Sequence, residues 1–280
     1  MNAFLAEVDT WGALLMGLPF LFLPIEVWRL YRARQLNRRT WFEIAANISP
    51  LVPTLLAAGV TAAYITWIYG NAAALAPWSM PVNGWTLAAA ILLVDFVYYW
   101  DHRIGHRVRI AWALYHSVHH SSPLFNQTTA VRISFLDGFI VPWFYVPIVL
   151  AGFHPLLVVS AFGIVLAYQQ WIHTETITKL GWFDAVFNSP SNHRVHHATQ
   201  PEYIDKNYGG ILIIWDRLFG TYQKEGEAPV YGLTQQINSA SPLDVHFAEA
   251  RRFAAGLSRL KTWRARIAYL LEGPEVRVRD

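Results

Sequence analysis

The sequence predicts an all-α integral membrane helical bundle, about three spans plus a returning pair, with a cytoplasmic histidine-rich helical cap. Three observations predict it. Hydrophobic residues make up 54% of the 280 positions and charged residues 15%, against roughly 25% charged in soluble domains. Apolar stretches close to the roughly 20 residues that cross a bilayer recur through the first two thirds of the chain. Eight of the eleven histidines fall in three tight groups.

The apolar stretches at 11–28, 48–69 and 84–100 read as spans. Two more, 138–152 and 155–172, meet at Gly152-Phe153-His154-Pro155 and are individually short. They fit a hairpin that enters the membrane and returns, or two tilted spans. In the first stretch Pro19, Pro24 and Glu26 predict a kink. It lacks the basic start and small-residue cleavage site of a removable signal peptide and reads as retained. Glu7 and Asp9 precede it, while Arg29, Arg32, Arg34, Arg38 and Arg39 follow. An excess of arginine marks a cytoplasmic loop, so the N-terminus is expected outside. If 138–172 is a returning pair, every histidine group faces the cytoplasm, at the inner membrane of a bacterium or the endoplasmic reticulum of a eukaryote.

Beyond residue 174 no further spanning stretch occurs, and the C-terminal third is expected to cap the membrane face. Residues 244–272 read as one amphipathic helix, with Phe253, Leu257, Leu260, Ile267 and Leu271 on one side and Gly273-Pro274 as its stop. Such a helix fits an anionic lipid surface or ordinary packing against the cap. The absence of repeats and linkers predicts a single membrane-embedded domain over 1–280. A net charge of +3 without a basic stripe interleaved with aromatics argues against nucleic acid as a partner.

The chain has no cysteine, which excludes disulfides, thiolate metal sites and iron–sulfur clusters and leaves histidine and carboxylates as ligands. The groups are His102 and His106 in DHRIGH, His116, His119 and His120 in HSVHH, and His193, His196 and His197 in HRVHH. Helical positions three and four apart share a face, so each group can aim its imidazoles at a common point. A lone histidine is more often a satisfied polar residue. Eight in repeated spacing beside a bilayer, where unpaired polar groups are costly, point instead to metal. One ion cannot use so many ligands, since a catalytic zinc takes about three from the protein. No HExxH occurs, which sets aside the usual metalloprotease. Two metals with four or five nitrogens each are the simplest arrangement. Imidazole-rich coordination suits iron acting on dioxygen, with zinc and copper open on ligand type alone. A metal transporter is the non-enzyme alternative. It would hold its ligands near mid-membrane on broken helices, whereas these groups lie just beyond the span ends.

Asp95, Tyr99 and His102 fall on one helical face. An intramembrane carboxylate there can orient a ligand imidazole through its outer nitrogen, or pair with Arg103. Asn126, Arg132 and Glu175 are further polar candidates for supporting the site or receiving an electron donor.

The order His-x3-His, His-x2-His-His and a second His-x2-His-His resembles the fatty acid hydroxylase/sterol desaturase superfamily. The likeness extends through VDFVYYWDHRIGH, HSVHHSSPLFNQTTAVRIS, QWIHTETITKLGWFDAVFNSPSNHRVHH and IDKNYGGILIIWDRLFGTYQKE. It covers about 84–232 and looks like the alkylglycerol monooxygenase branch. The resemblance implies a membrane-bound non-haem di-iron centre that uses dioxygen to hydroxylate, or desaturate, an aliphatic carbon of a lipid. It implies His173 as a ninth ligand. Ile177 stands where some relatives carry another histidine, leaving a place for water or Asn192. The cofactors implied are two iron ions, with dioxygen as co-substrate. The partners implied are a lipid drawn from the bilayer and an external electron donor. That donor is tetrahydrobiopterin if the branch holds, and of cytochrome b5 or ferredoxin type in other members. No GxGxxG is present, so reduction requires a separate protein or pterin. An ether lipid (alkylglycerol) is the substrate the branch implies; a sterol, carotenoid or acyl-lipid desaturase or hydroxylase with the same centre is the runner-up.

Overall fold

The computed structural model describes residues 21–277. Glu7, Asp9, Pro19 and the start of the expected first span lie outside them. The described residues are helical, with two isolated antiparallel bridges, Phe187 to Leu212 and Ala198 to Tyr231, and no strand. Thirteen helical segments carry the argument. They are α1 (Leu23–Arg32), α2 (Arg38–Ile48), α3 (Leu51–Leu75), α4 (Gly84–Arg107), α5 (109–120), α6 (Gln127–Ala130), α7 (Asp137–Leu150), α8 (Pro155–Ile172), α9 (Phe183–Val186), α10 (Pro190–His196), α11 (Ile214–Phe219), α12 (Pro242–Ser258) and α13 (Trp263–Leu271).

Local chemistry starts the main helices where they begin. Asn83 accepts from the main-chain N–H groups of Trp85 and Thr86, and the Thr86 hydroxyl answers the Asn83 N–H in a capping box. Proline opens α8 and α10, where its missing N–H costs nothing. The bundle core lies between α3, α4, α7 and α8, with Ala90, Val94, Val149, Leu157, Val158, Ala161 and Val165 fully buried. Alanines at 90 and 161 let α4 and α8 pack closely. The outer surface of α3 is apolar and bare: Leu55 is 70% and Leu56 82% exposed. That combination matches a hydrocarbon environment.

Two helical stretches among the described residues are long and apolar enough to cross a membrane, Arg38–Leu75 and Pro155–Ile172. α4 has the length but carries Asp95 at its middle and ends in the charged run DHRIGHR, while α7 is a shorter apolar helix. Of the expected span 11–28, residues 21–28 are described. Pro24 sits in the first turn of α1, where proline starts a helix rather than kinking it. Glu26 is buried 2% exposed and accepts from the Thr174 and Thr176 hydroxyls, so it anchors the helix to the segment after α8.

The expected single helix over 244–272 is two helices, α12 and α13. The Thr262 side chain caps the second by accepting from the Ala265 N–H at 3.3 Å. The chain then folds back so that Tyr269 stacks on Phe253 at 5.6 Å. Arg109 holds the end of α13, its main-chain N–H donating to the Glu272 carbonyl at 3.0 Å and its guanidinium lying 4.0 Å over the Tyr269 ring. Packing against α5 therefore claims part of this helix pair, and a hairpin satisfies that contact where one straight helix would not.

Candidate metal centre

Four segments bring the histidines together at one end of the bundle. α4 outlasts its apolar stretch and brings His102 and His106, both buried, one turn apart. After a bend at Val108 the chain returns as α5, whose middle is a π turn from Trp112 to His116. The wider turn is a frequent feature of functional sites. Close contact there needs Gly105, because a Cβ at that position would meet the His116 ring at 3.0 Å. The last turn of α5 carries His119 and His120, α10 carries His193 and His196 with His197 at its end, and His173 terminates α8.

These nine imidazoles form two groups, His102, His106, His116, His120 and His196 in one, and His119, His173, His193 and His197 in the other. Within each group one nitrogen per ring lies within 4.8 Å of all the others. Two nitrogens on one ion, with bonds of about 2.1 Å, stand up to about 4.2 Å apart, so a small contraction closes each set. The partition differs from the expectation that each sequence group aims at one point. Successive helical residues project about 100° apart. Each His-His pair therefore splits, His119 from His120 and His197 from His196, and α5 and α10 contribute to both groups.

Hydrogen bonding sets the protonation of the rings. His102 Nδ1 lies 2.8 Å from the Tyr208 carbonyl, His196 Nδ1 2.9 Å from the Lys206 carbonyl and His173 Nδ1 2.8 Å from the Gln169 carbonyl. A carbonyl only accepts, so each Nδ1 carries the proton and donates it. In a neutral ring the Nε2 atoms then present lone pairs. Burial, reinforced by the neighbouring imidazoles, pushes these three rings well below the ordinary histidine range and keeps them neutral. Burial also pushes His119 down, to about 4.

Inward, the nitrogens crowd together. His120 Nε2 is 3.1 Å from both His106 Nε2 and His196 Nε2, and His173 Nε2 is 2.9 Å from His193 Nε2 and 3.3 Å from His119 Nε2. His102 Nε2 and His116 Nε2 are buried with no hydrogen-bond partner. Converging lone pairs and orphaned buried nitrogens repel one another unless a cation lies between them. The donor set thus fits two metal ions, each on imidazole nitrogens.

The other sequence candidates hold the frame. Asp95 does not reach an imidazole: it accepts from the Ile211 and Leu212 main-chain N–H groups and from Trp215 Nε1 at 2.5, 3.1 and 2.8 Å. Arg132, 1% exposed, donates to the Val118 carbonyl, Ser121 Oγ and Asn47 Oδ1, fixing the end of α5. Asn126 caps α6, accepting from the Thr128 N–H at 2.9 Å. Glu175 pairs with Arg29 at 3.3 Å. Asn192 donates to the Asp184 and Phe187 carbonyls and braces α10.

Several supports escaped sequence reasoning. The loop carbonyls of Lys206 and Tyr208 hold one imidazole each, and Asp216 holds that loop through the Tyr208 and Gly209 N–H groups at 2.8 and 2.7 Å. Burial raises Asp216 to about 6 against the pull of these donors. Arg194, inside the third histidine group, pairs with Glu225 at 2.7 Å and donates to the Thr174 and Ile177 carbonyls. Phe125 stacks on His173 at 5.5 Å. The signal for the loop was the run IDKNYGG, which enters the sequence reading only as part of the family resemblance.

Among known proteins, the human alkylglycerol monooxygenase is 44% identical over 206 residues, covering 73% of this chain and 45% of the relative. The Xenopus tropicalis alkylglycerol monooxygenase is 42% identical over 203 residues, covering 72% and 44%. An ornithine lipid hydroxylase of Rhizobium tropici is 31% identical over 144 residues, covering 49% and 43%. The chain spans less than half the length of these relatives. No solved structure matches it. The fatty acid hydroxylase profile matches residues 87–221, a segment that contains all nine grouped histidines, and this part of the chain is a fatty acid hydroxylase domain.

Proposed function

We propose that this chain is a membrane-bound non-haem di-iron monooxygenase that hydroxylates an aliphatic carbon of a lipid, with an ether lipid as its substrate. One observation carries the reading: nine imidazoles from four segments converge in two groups, their facing nitrogens 2.9–3.3 Å apart or, at His102 and His116, buried with no partner. The likeness to alkylglycerol monooxygenases supports the ether lipid. Two irons bound there supply the activation of dioxygen and the attack on an unactivated C–H bond, chemistry that no side chain provides.

The chain's own residues do the rest. The carbonyls of Gln169, Lys206 and Tyr208 fix three ring orientations and tautomers before any ligand arrives. The overall change is RH + O2 + two electrons + two protons to ROH + H2O. Hydroxylation beside an ether oxygen yields a hemiacetal, which separates into an aldehyde and an alcohol. The two electrons come from an external donor, a reduced pterin or a small redox protein. In the membrane, α3 crosses the bilayer and α4 returns across it, α7 and α8 enter and return as a pair, and the histidines face the cytoplasm, as the arginines before α3 favour.

Purified chain should hold about two irons, one per histidine group, and consume dioxygen and hexadecylglycerol together, releasing an aldehyde. Active protein with a single metal, or dioxygen uptake with no lipid oxidised, would refute the reading.

A further inference from the structure

The hairpin of α12 and α13 leaves one face uncovered. On α13, Ala265 is buried and Tyr269 turns to the protein, under the Arg109 guanidinium and against Phe253. The other side carries Trp263, Ile267 and Leu271, which are 75%, 46% and 60% exposed. Positions four apart share a helical face, so these three form one apolar stripe. At about 100° per residue, Arg264 and Arg266 flank the stripe on its two sides, with Arg266 steadied by its Nε donating to the Leu260 carbonyl at 3.0 Å. Residues 259–271 hold four basic side chains, Arg259, Lys261, Arg264 and Arg266, all exposed, and no acidic one. The helix is fastened where the bundle meets its cap: the Glu272 carbonyl accepts from the Arg109 N–H, two residues past the end of α4.

We propose that the stripe of Trp263, Ile267 and Leu271 docks α13 into the anionic headgroup layer of the membrane that holds the bundle. Such a surface matches both parts of the face: acyl chains receive the apolar stripe, and lipid phosphates receive the arginines beside it. Tryptophan at one end suits the boundary between the two. The docking goes beyond the oxygenase reading and rests only on the chain lying in a membrane. Arg109, the first residue of α5, grips the other face of α13, so the docked hairpin also holds the helix that carries His116, His119 and His120.

The chain has no cysteine, so one introduced thiol takes one nitroxide. Ile267→Cys in the full chain, spin-labelled and placed in nanodiscs, reports its surroundings through relaxation by oxygen, which concentrates in lipid, and by a nickel chelate, which stays in water. Leu56→Cys, on the bare face of α3, gives the lipid-exposed reference. In nanodiscs containing phosphatidylglycerol the Ile267 label should match that reference. In phosphatidylcholine alone, or in strong salt, it should move towards water. Arg264→Gln and Arg266→Gln, each added to the labelled chain, should lower the docking equilibrium about 5-fold. Should Arg266→Gln disturb the turn at Leu260, Arg264→Gln and the lipid series decide. A label equally open to the nickel chelate in both lipids overturns the proposal. So does a label shielded from both agents, which means that protein covers the stripe, and so does one equally lipid-exposed with and without anionic lipid. The two readings fail separately: a Leu56 label in water refutes the membrane reading and the docking with it, whereas lipid at Leu56 with water at Ile267 refutes the docking alone.

Discussion

The five-histidine and four-histidine groups share α5 and α10 but are held in different ways. In the first, His102 and His196 lean on carbonyls of one loop, at Tyr208 and Lys206, and that loop hangs on Asp216 and, through its far end, on Asp95. In the second, His173 donates to Gln169, four residues back in its own helix, and rests against Phe125. One group depends on contacts between distant segments and the other on local geometry. The contrast teaches that damage to the loop should act on one metal only, and that the smaller group has no ligand to spare.

The largest effect should come from His193→Ala, which takes one of four nitrogens and leaves the others facing a gap. Iron content should fall by about one ion per chain, since His193 serves one group alone, with lipid oxidation abolished. His116→Ala, which leaves four nitrogens in its group, should retain more iron; equal losses by elemental analysis would break the comparison.

Next in size is Asp216→Asn, which weakens the loop that orients His102 and His196. Removing such outer support typically costs about 10–100-fold in metal affinity. Graded chelator competition should show one iron loosened and the other unaffected. Loosening of both would mean that the loop serves the whole site.

Gly105→Ala places a Cβ against the His116 ring at 3.0 Å. The overpacking should cost about 1–3 kcal/mol, seen as earlier thermal unfolding together with weaker iron retention in the five-histidine group. Unchanged stability would show that the π turn can give way.

The smallest expected effect is that of Phe125→Leu. Loss of the stack on His173 should cost about 1 kcal/mol, a shift of a few degrees in thermal unfolding with both irons retained. A full ion lost would place Phe125 among the essential supports and remove the distinction between locally and remotely held groups.

The convergence of these histidines was legible in the sequence because helical spacing is local: residues three and four apart must share a face wherever the helix lies. Their sorting into two groups was not, since neighbouring histidines diverge by about 100° and only the packing of α4, α5, α8 and α10 says which group each ring joins. Asp95 stood out as a carboxylate inside an apolar stretch, but its partners Ile211, Leu212 and Trp215 lie more than a hundred residues on, and no periodicity reports such a distance. The carbonyls that fix the imidazoles were invisible for another reason: every residue has one, and only the folded chain selects Gln169, Lys206 and Tyr208. The all-helical class and the apolar stretches followed from composition and pattern, which depend on solvent preference alone. Whether an apolar helix is left exposed, as α3 is, or packs inside the bundle, as much of α4 and α8 do, was decided by tertiary structure, because burial depends on neighbours that the local sequence does not contain.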